Sequence, residues 1–395
     1  MRLIRIAALF AVSIAAAALS SAQTSSVLTG GLNTPNKIVT APGNSLLVAE
    51  AGTHAPNSGR ISVIDRTSGT RHTLIGGLPS GVSFLGGNPA GDVDGPSGLL
   101  LRGNTLFVAI GVGDAVVRGP GPGLESPNPA MPSSPIFDSV LEITLPGRFT
   151  AVSEFTLTPA DQASLAAGGD VALTNSQGTQ LSVRLVANLP DYAAAPRPGN
   201  PNNVKASHIY GVELFQKNVF VADAGLNDIK RFGRYTGDVS VLVEFPSRPN
   251  PTPGPPFIEA VPDNIHRCGN RLMVPLLTGF PFLPNFAEVR SVGIRDGSNH
   301  GLIPGLTSAI DVLSVDGDDE GAVSDCDGPF YTIEFSLNFL MGAPGRLRYY
   351  SAPDAAPVNV FSNLITPTSM ARDAESGDLF ITNIGPGTVT RVEFP

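Results

Sequence analysis

Two groups of oxygen-bearing side chains in this 395-residue sequence could do chemistry. The first is dispersed: Asn36, Glu50, Asp223, Asp263, Asp311, Glu334 and Asn383 each stand at the start or end of a short apolar, β-branched run. Carboxylates and amides converging from several strands can hold a hard cation such as Ca²⁺, or a polyol. The second is contiguous: Asp316, Asp318, Glu320 and Asp327, with Gly321 among them, follow the spacing of a Ca²⁺ loop. A bland explanation stands beside each. Asn or a carboxylate before Gly, as in Glu50-Ala51-Gly52, commonly bonds its own turn, and an acidic hairpin tip needs only water. The histidines and cysteines show no metal-ligand spacing, so Ca²⁺ is the one cofactor these residues suggest. No Gly-x-Ser-x-Gly elbow, phosphate loop or dinucleotide fingerprint occurs.

The elements that must position these residues repeat along the chain. With 44 Gly, 36 Pro, no Trp and 42% hydrophobic residues, long helices are excluded while a core is expected. A phrase of three or four short strands recurs six times, opening at Pro35, Pro96, Ile209, Pro262, Ala309 and Pro367. The third copy is the plainest, with Ile209–Val212, Val219–Asp223, Asp228–Phe232 and Val241–Phe245 almost free of insertion. The second copy reads Pro96–Leu99, Leu106–Ala109, Val140–Ile143 and Val152–Phe155; the fourth shows only three strands, ending with Ala287–Val292. The sixth copy also lacks its fourth strand, while Ser26–Thr29 is a strand-like run left over at the other end. Pairing the two closes a ring and removes an exposed sheet edge. The expected fold is all-β, a single six-bladed β-propeller over residues 23–395, closed by the N-terminal strand, with insertions at 111–139 and 156–203.

In such a disc the loops between second and third strands and between blades share one face, here called upper. The insertions 111–139 and 156–203 and the run Leu276–Asn285 all map to it, which marks it as the expected binding face. Within the second insertion, Thr158-Pro159 before an alanine-rich run ending at Gly168 reads as a short capped helix over or beside the channel mouth. Asn36, Glu50, Asp223, Asp263, Asp311, Glu334 and Asn383 should ring the upper end of the central channel. The Asp316–Asp327 loop belongs to the lower face.

Arg2, Arg5, the apolar run Ile6–Leu19 and Ser20-Ser21-Ala22 read as a secretory signal cleaved after Ala22, hence a secreted or periplasmic protein. No later stretch is long and apolar enough to span a membrane. A formal charge of −9, with the acidic residues dispersed, disfavours nucleic acid as a partner. In that compartment Cys268 and Cys326 are expected to form one disulfide, fastening the Asp316–Asp327 loop to the neighbouring blade.

The stretches Phe220-Val221-Ala222-Asp223-Ala224-Gly225-Leu226-Asn227-Asp228-Ile229 and Leu277-Thr278-Gly279-Phe280-Pro281-Phe282 resemble the ScyD/ScyE-type propellers encoded with scytonemin biosynthesis. Ala309–Val312, Pro344–Leu347, Gly31–Pro35 and the insertion before Tyr210 fit the same pattern. The resemblance implies a secreted or periplasmic six-bladed NHL-like propeller and carries no settled activity. More distantly the shape is similar to gluconolactonase-type enzymes, which hold a divalent cation with Glu, two Asn and Asp at first-strand starts. The corresponding positions here are Asn36, Ser97, Tyr210, Asp263, Ile310 and Thr368, of which Asp263 matches and Asn36 is compatible. Two functions are therefore carried forward. One is a monomeric, non-catalytic or accessory protein that holds a small molecule, glycan or protein on the upper face; the other is a metal-dependent lactonase or hydrolase at the channel mouth.

Overall fold

The computed structural model describes residues 23–85, 88, 90–121, 123–147, 154–315, 326 and 328–394. Six antiparallel sheets follow one another along the chain, as the repeated phrase requires. Blade 1 is Pro35–Ala41, Ser45–Glu50, Gly59–Asp65 and Arg71–Leu78. Blade 3 is Ile209–Phe215, Asn218–Asp223, Asp228–Gly233 and Val239–Glu244; blade 5 is Ala309–Ser314, Phe330–Glu334, Gly345–Tyr350 and Val358–Leu364. Blade 6 takes Pro367–Arg372, Leu379–Asn383 and Thr388–Glu393 from the C-terminus and its outermost strand, Thr24–Thr29, from the N-terminus. Thr24 pairs with Glu393 and Val27 with Thr390, so the ring is closed by main-chain hydrogen bonds.

Burial explains the apolar runs. Second strands are packed on both faces by neighbouring blades, so Leu46–Ala49, Leu106–Ile110 and Val219–Ala222 are continuous apolar segments without alternation. The core is divided into six clusters, one in each seam between adjacent blades; the seam between blades 6 and 1 holds Ala371, Phe380 and Val389 against Ile38, Leu46 and Val48.

Two blades depart from the sequence reading. Blade 2 is Pro96–Arg102, Thr105–Ile110, Ser139–Thr144 and, as fourth strand, Gln180–Asn188 from within the expected insertion 156–203. Phe155 and Thr156 instead run parallel to the outer strand of blade 1, beside Ile75 and Gly76. Blade 4 comprises His266–Cys268, Arg271–Leu276, Ala287–Gly293 and a fourth strand, Asn299–Leu306, absent from the sequence reading. The helix, Pro159–Ala166, has its Thr158–Asp161 capping box. It wedges between the outer strands of blades 1 and 2, where buried Gln162 bonds Asn57, the Gly77 carbonyl and Ser134, and does not roof the channel. Cys268 and Cys326 form the expected disulfide, with 5.6 Å between their Cα atoms.

Candidate functional site

The residues that open the innermost strands tie each blade to the next. Asn36 Nδ2 donates to the Pro96 carbonyl at 3.1 Å, Ser97 Oγ to the Ile209 carbonyl at 2.7 Å, and the Gly211 amide to the Asp263 carbonyl at 3.2 Å. Asn264 Nδ2 then donates to the carbonyls of Ile310 and Thr368, each at 3.1 Å. Ser369 Oγ and the Met370 amide donate to Asp311, and Thr368 Oγ1 donates to the Pro35 carbonyl, completing the circuit. The strands approach closely for this. A Cβ on Gly98 would lie 2.0 Å from the Tyr210 carbonyl oxygen, and one on Gly211 2.4 Å from the Ile265 amide nitrogen.

Above this girdle lies a polar cluster that spacing alone does not reveal, built of three buried aspartates around the partly exposed His208. Asp94 accepts from the amides of Gly95 and Gly113, both at 2.8 Å, and faces His208 Nε2 at 3.3 Å. Burial opposes the charge on Asp94, but His208 and those amides hold its carboxyl below the usual range. Burial would likewise lower His208, yet Asp94, Asp138 and Asp263 push it up to about 9. Asp138 is raised well above the usual range by burial and by Asp223, and Asp263 is raised to about 8 by burial and Asp311 against the pull of His208 and Lys37. Tyr210 reaches across from blade 3 to Asn36, its hydroxyl 3.3 Å from Oδ1. The cluster thus sets the Asp94–His208 pair, in which each partner favours the other's charge, beside two carboxyl groups, Asp138 and Asp263, whose burial favours the protonated form.

Below the girdle, Asp311 is the hub. It accepts from His266 Nε2 at 2.9 Å, Lys37 Nζ at 3.4 Å, Ser369 Oγ at 2.9 Å and the amides of Val312 and Met370. These donors overcome its complete burial and hold its pKa at about 2. Lys37 and His266 also line a funnel of about 550 Å³ that opens on the lower face and receives innermost-strand residues from all six blades. This funnel is on the face opposite to the insertions.

The other predicted residues have local partners. Glu50 binds Arg60 at 2.7 Å, Ser62 and the Asn33 amide; Asp223 binds Lys230, Ser207 and the amides of His208 and Leu226. Glu334 pairs with Arg346 and Arg348 and accepts from the Thr307 amide, and Asn383 donates to Thr388 and Thr390. Asp316, Asp318, Glu320 and Asp327 lie outside the described residues.

A divalent cation of the gluconolactonase kind does not fit the donors at the first-strand starts. The side-chain donors of Asn36, Ser97 and Thr368 are engaged with carbonyls and Asn36 Oδ1 takes the Tyr210 hydroxyl, so the buried oxygens left without a partner at these starts are Asp263 Oδ1 and Asn264 Oδ1, two neighbours on one blade rather than a ring of ligands from several. Among the described residues no three His, Cys, Asp or Glu side chains are grouped closely enough to hold a metal ion. Asp263 and Asn36 were legible as strand-start residues. His208, Asp94, Asp138, Lys37 and His266 were not, because they meet only across blades; the sole signal was that each is polar in or beside an apolar strand.

No family model matches the chain, and no curated protein does. Among solved structures, a Bacteroides thetaiotaomicron protein of unknown function is similar at 10% identity and TM-score 0.48, over 94% of this chain and 76% of its own. A gluconolactonase from Xanthomonas campestris is similar at 10% identity and TM-score 0.46, over 94% of this chain and 90% of its own.

Proposed function

We propose that this is a non-catalytic binding propeller that docks a protein partner on its upper face. One observation carries the reading: a long arc of that face has no charge. The upper loops 277–286, 335–344, 365–366, 384–387, 30–34 and 51–58 contain no Asp, Glu, Lys or Arg, in a chain whose charged residues are 15% of the total. The same arc exposes large apolar side chains. Phe280 is 53% exposed, Leu340 61% and Met341 79%. Phe282 stacks on Phe339 at 4.2 Å between ring centroids, and Phe335 stacks on Phe339 at 5.4 Å, so loops from blades 4 and 5 form one aromatic platform. Charge depletion with Phe and Met enrichment is the composition of a protein-interface core. A fixed apolar surface of this kind favours a partner, since leaving it in water forgoes roughly 25 cal/mol per Å².

A photo-crosslinking phenylalanine analogue at position 340, in the cells that make the protein, tests this. It should give one discrete protein adduct that is lost when Phe280→Asp and Met341→Asp are added. The same analogue at Val358, on the outer strand of blade 5, should give none. Identical patterns at both positions, or no adduct at 340, would overturn the reading.

A further inference from the structure

The lower funnel carries an independent inference, because its charge is opposite to that of the molecule. Its walls present five cations, Lys37, Arg66, Arg102, Arg267 and Arg372, against three carboxylates, Glu213, Asp373 and Glu375, in a chain of net charge −9. Most of these are paired internally: Arg66 with Asp373 at 2.8 Å, Arg102 with Glu213 at 2.9 Å, and Lys37 with Asp311 behind the wall. Arg267 and Arg372 form no ion pair among the described residues. Each is nevertheless held in place. Arg267 lies 5.6 Å from the centre of the Phe215 ring, and Arg372 Nη1 donates to the Val315 carbonyl at 3.2 Å. They come from blades 4 and 6 and line one cavity, leaving most of their donors for an external acceptor.

Between these cations the wall is aliphatic, with half-buried Val39 and Leu101 and, beside them, Ala41, Leu100 and Ala371 contributing. A volume of about 550 Å³ lies within the range of small-molecule sites. Guanidinium forks match carboxylate and phosphate oxygens in charge and geometry.

We propose that the lower funnel binds a small organic anion, with its oxyanion groups on Arg267 and Arg372 and its apolar body against the aliphatic wall. Lys37 and His266, held by Asp311, form the polar floor that orients it. This site is on the face opposite to the partner-docking surface and does not depend on it.

Isothermal titration of the whole protein at low salt, with citrate, phthalate and phenyl phosphate as probes, tests the proposal and separates carboxylate from phosphate ligands. At least one should bind saturably in the millimolar range or tighter. Arg267→Gln with Arg372→Gln should weaken it tenfold or more, whereas Glu375→Lys, at an exposed residue whose side chain has no ion pair, should strengthen it severalfold. Binding of none of the three probes, or binding unchanged in both variants, would overturn the proposal. The charge-gaining variant keeps the test open should the double substitution fail to fold.

Discussion

Asp311 and Asp263 are both carboxylates in the channel, and their surroundings put them at opposite ends of the titration range. Asp311 has five donors and stays ionised, whereas Asp263 retains a buried oxygen with no partner. Asp311→Asn keeps the shape but leaves the buried Lys37 ammonium without its counter-charge. Removing one member of such a pair typically costs about 3–5 kcal/mol, so denaturant unfolding of this variant should show a loss of that order; a change below about 1 kcal/mol would mean the hub is not structural. Asp263 predicts a pH effect. Its pKa is raised from the ordinary 3.8 to about 8, so between those values the folded protein holds a proton that the unfolded chain releases, and stability falls as pH rises through the window. His208, raised from 6.5 to about 9, acts in the same direction: its pair with Asp94 contributes fully below 6.5 and is lost as pH rises through 9. Asp263→Asn removes the first effect and weakens the second, because Asp263 is one of the carboxylates that raise His208. Melting curves from pH 5 to 9 should therefore show the wild type losing stability relative to this variant as pH rises towards about 8 and levelling off beyond it, and parallel curves would refute the assignment. Lys37, Tyr210 and Asp311 are the other titratable groups facing Asp263, and none reverses the sign.

At the scale of the element, the strand that matters most comes first in the folded chain. Thr24–Thr29 covers the edge of Thr388–Glu393, whose amides and carbonyls would otherwise face solvent. Deleting residues 23–29 should lower the melting temperature by more than about 5 °C and produce concentration-dependent association on size exclusion; an unchanged melting point would show that closure adds nothing. This strand was legible because ring closure requires a partner for an incomplete last blade. Blades 1, 3 and 5 were legible for a simpler reason, since their inner strands are short apolar runs bounded by Gly, Pro, Asn and Asp, whatever the length of the loops between them. Blade 2 was misread where two segments had equal claim to one edge. Val152–Phe155 and Gln180–Asn188 both mix apolar with polar residues, and only the three-dimensional path shows that Phe155 joins blade 1. The fourth strand of blade 4 was hidden by Gly301, Pro304 and Gly305, which break a sequence pattern but are tolerated on an outermost strand. The channel cluster was hidden more deeply: His208 and Asp94 are far apart in sequence, and nothing local to either says they meet.

The whole molecule is a ring, and a ring unfolds cooperatively only if each seam resists opening. Main-chain pairing closes the seam between the termini, and the first-strand girdle links all six blades near the axis. At the lower face, the Cys268–Cys326 disulfide spans 58 residues and joins the innermost strand of blade 4 to the connection that leads into the second strand of blade 5. Both sulfurs are buried beside Met273, Val312 and Phe330, so their packing is retained when the bond is removed by substitution with a residue of similar size. The chain-entropy model assigns a closed loop of this length about 4 kcal/mol, all of it through the unfolded state. Cys268→Ala with Cys326→Ala should therefore lower unfolding free energy by up to about 4 kcal/mol. Its m-value should rise, because a chain without the cross-link exposes more surface when unfolded. The girdle and the closing strand remain in this variant, so it should still unfold in one transition. A second transition would show that blades 4 and 5 separate on their own, and that the disulfide, rather than the girdle, makes the ring one cooperative unit.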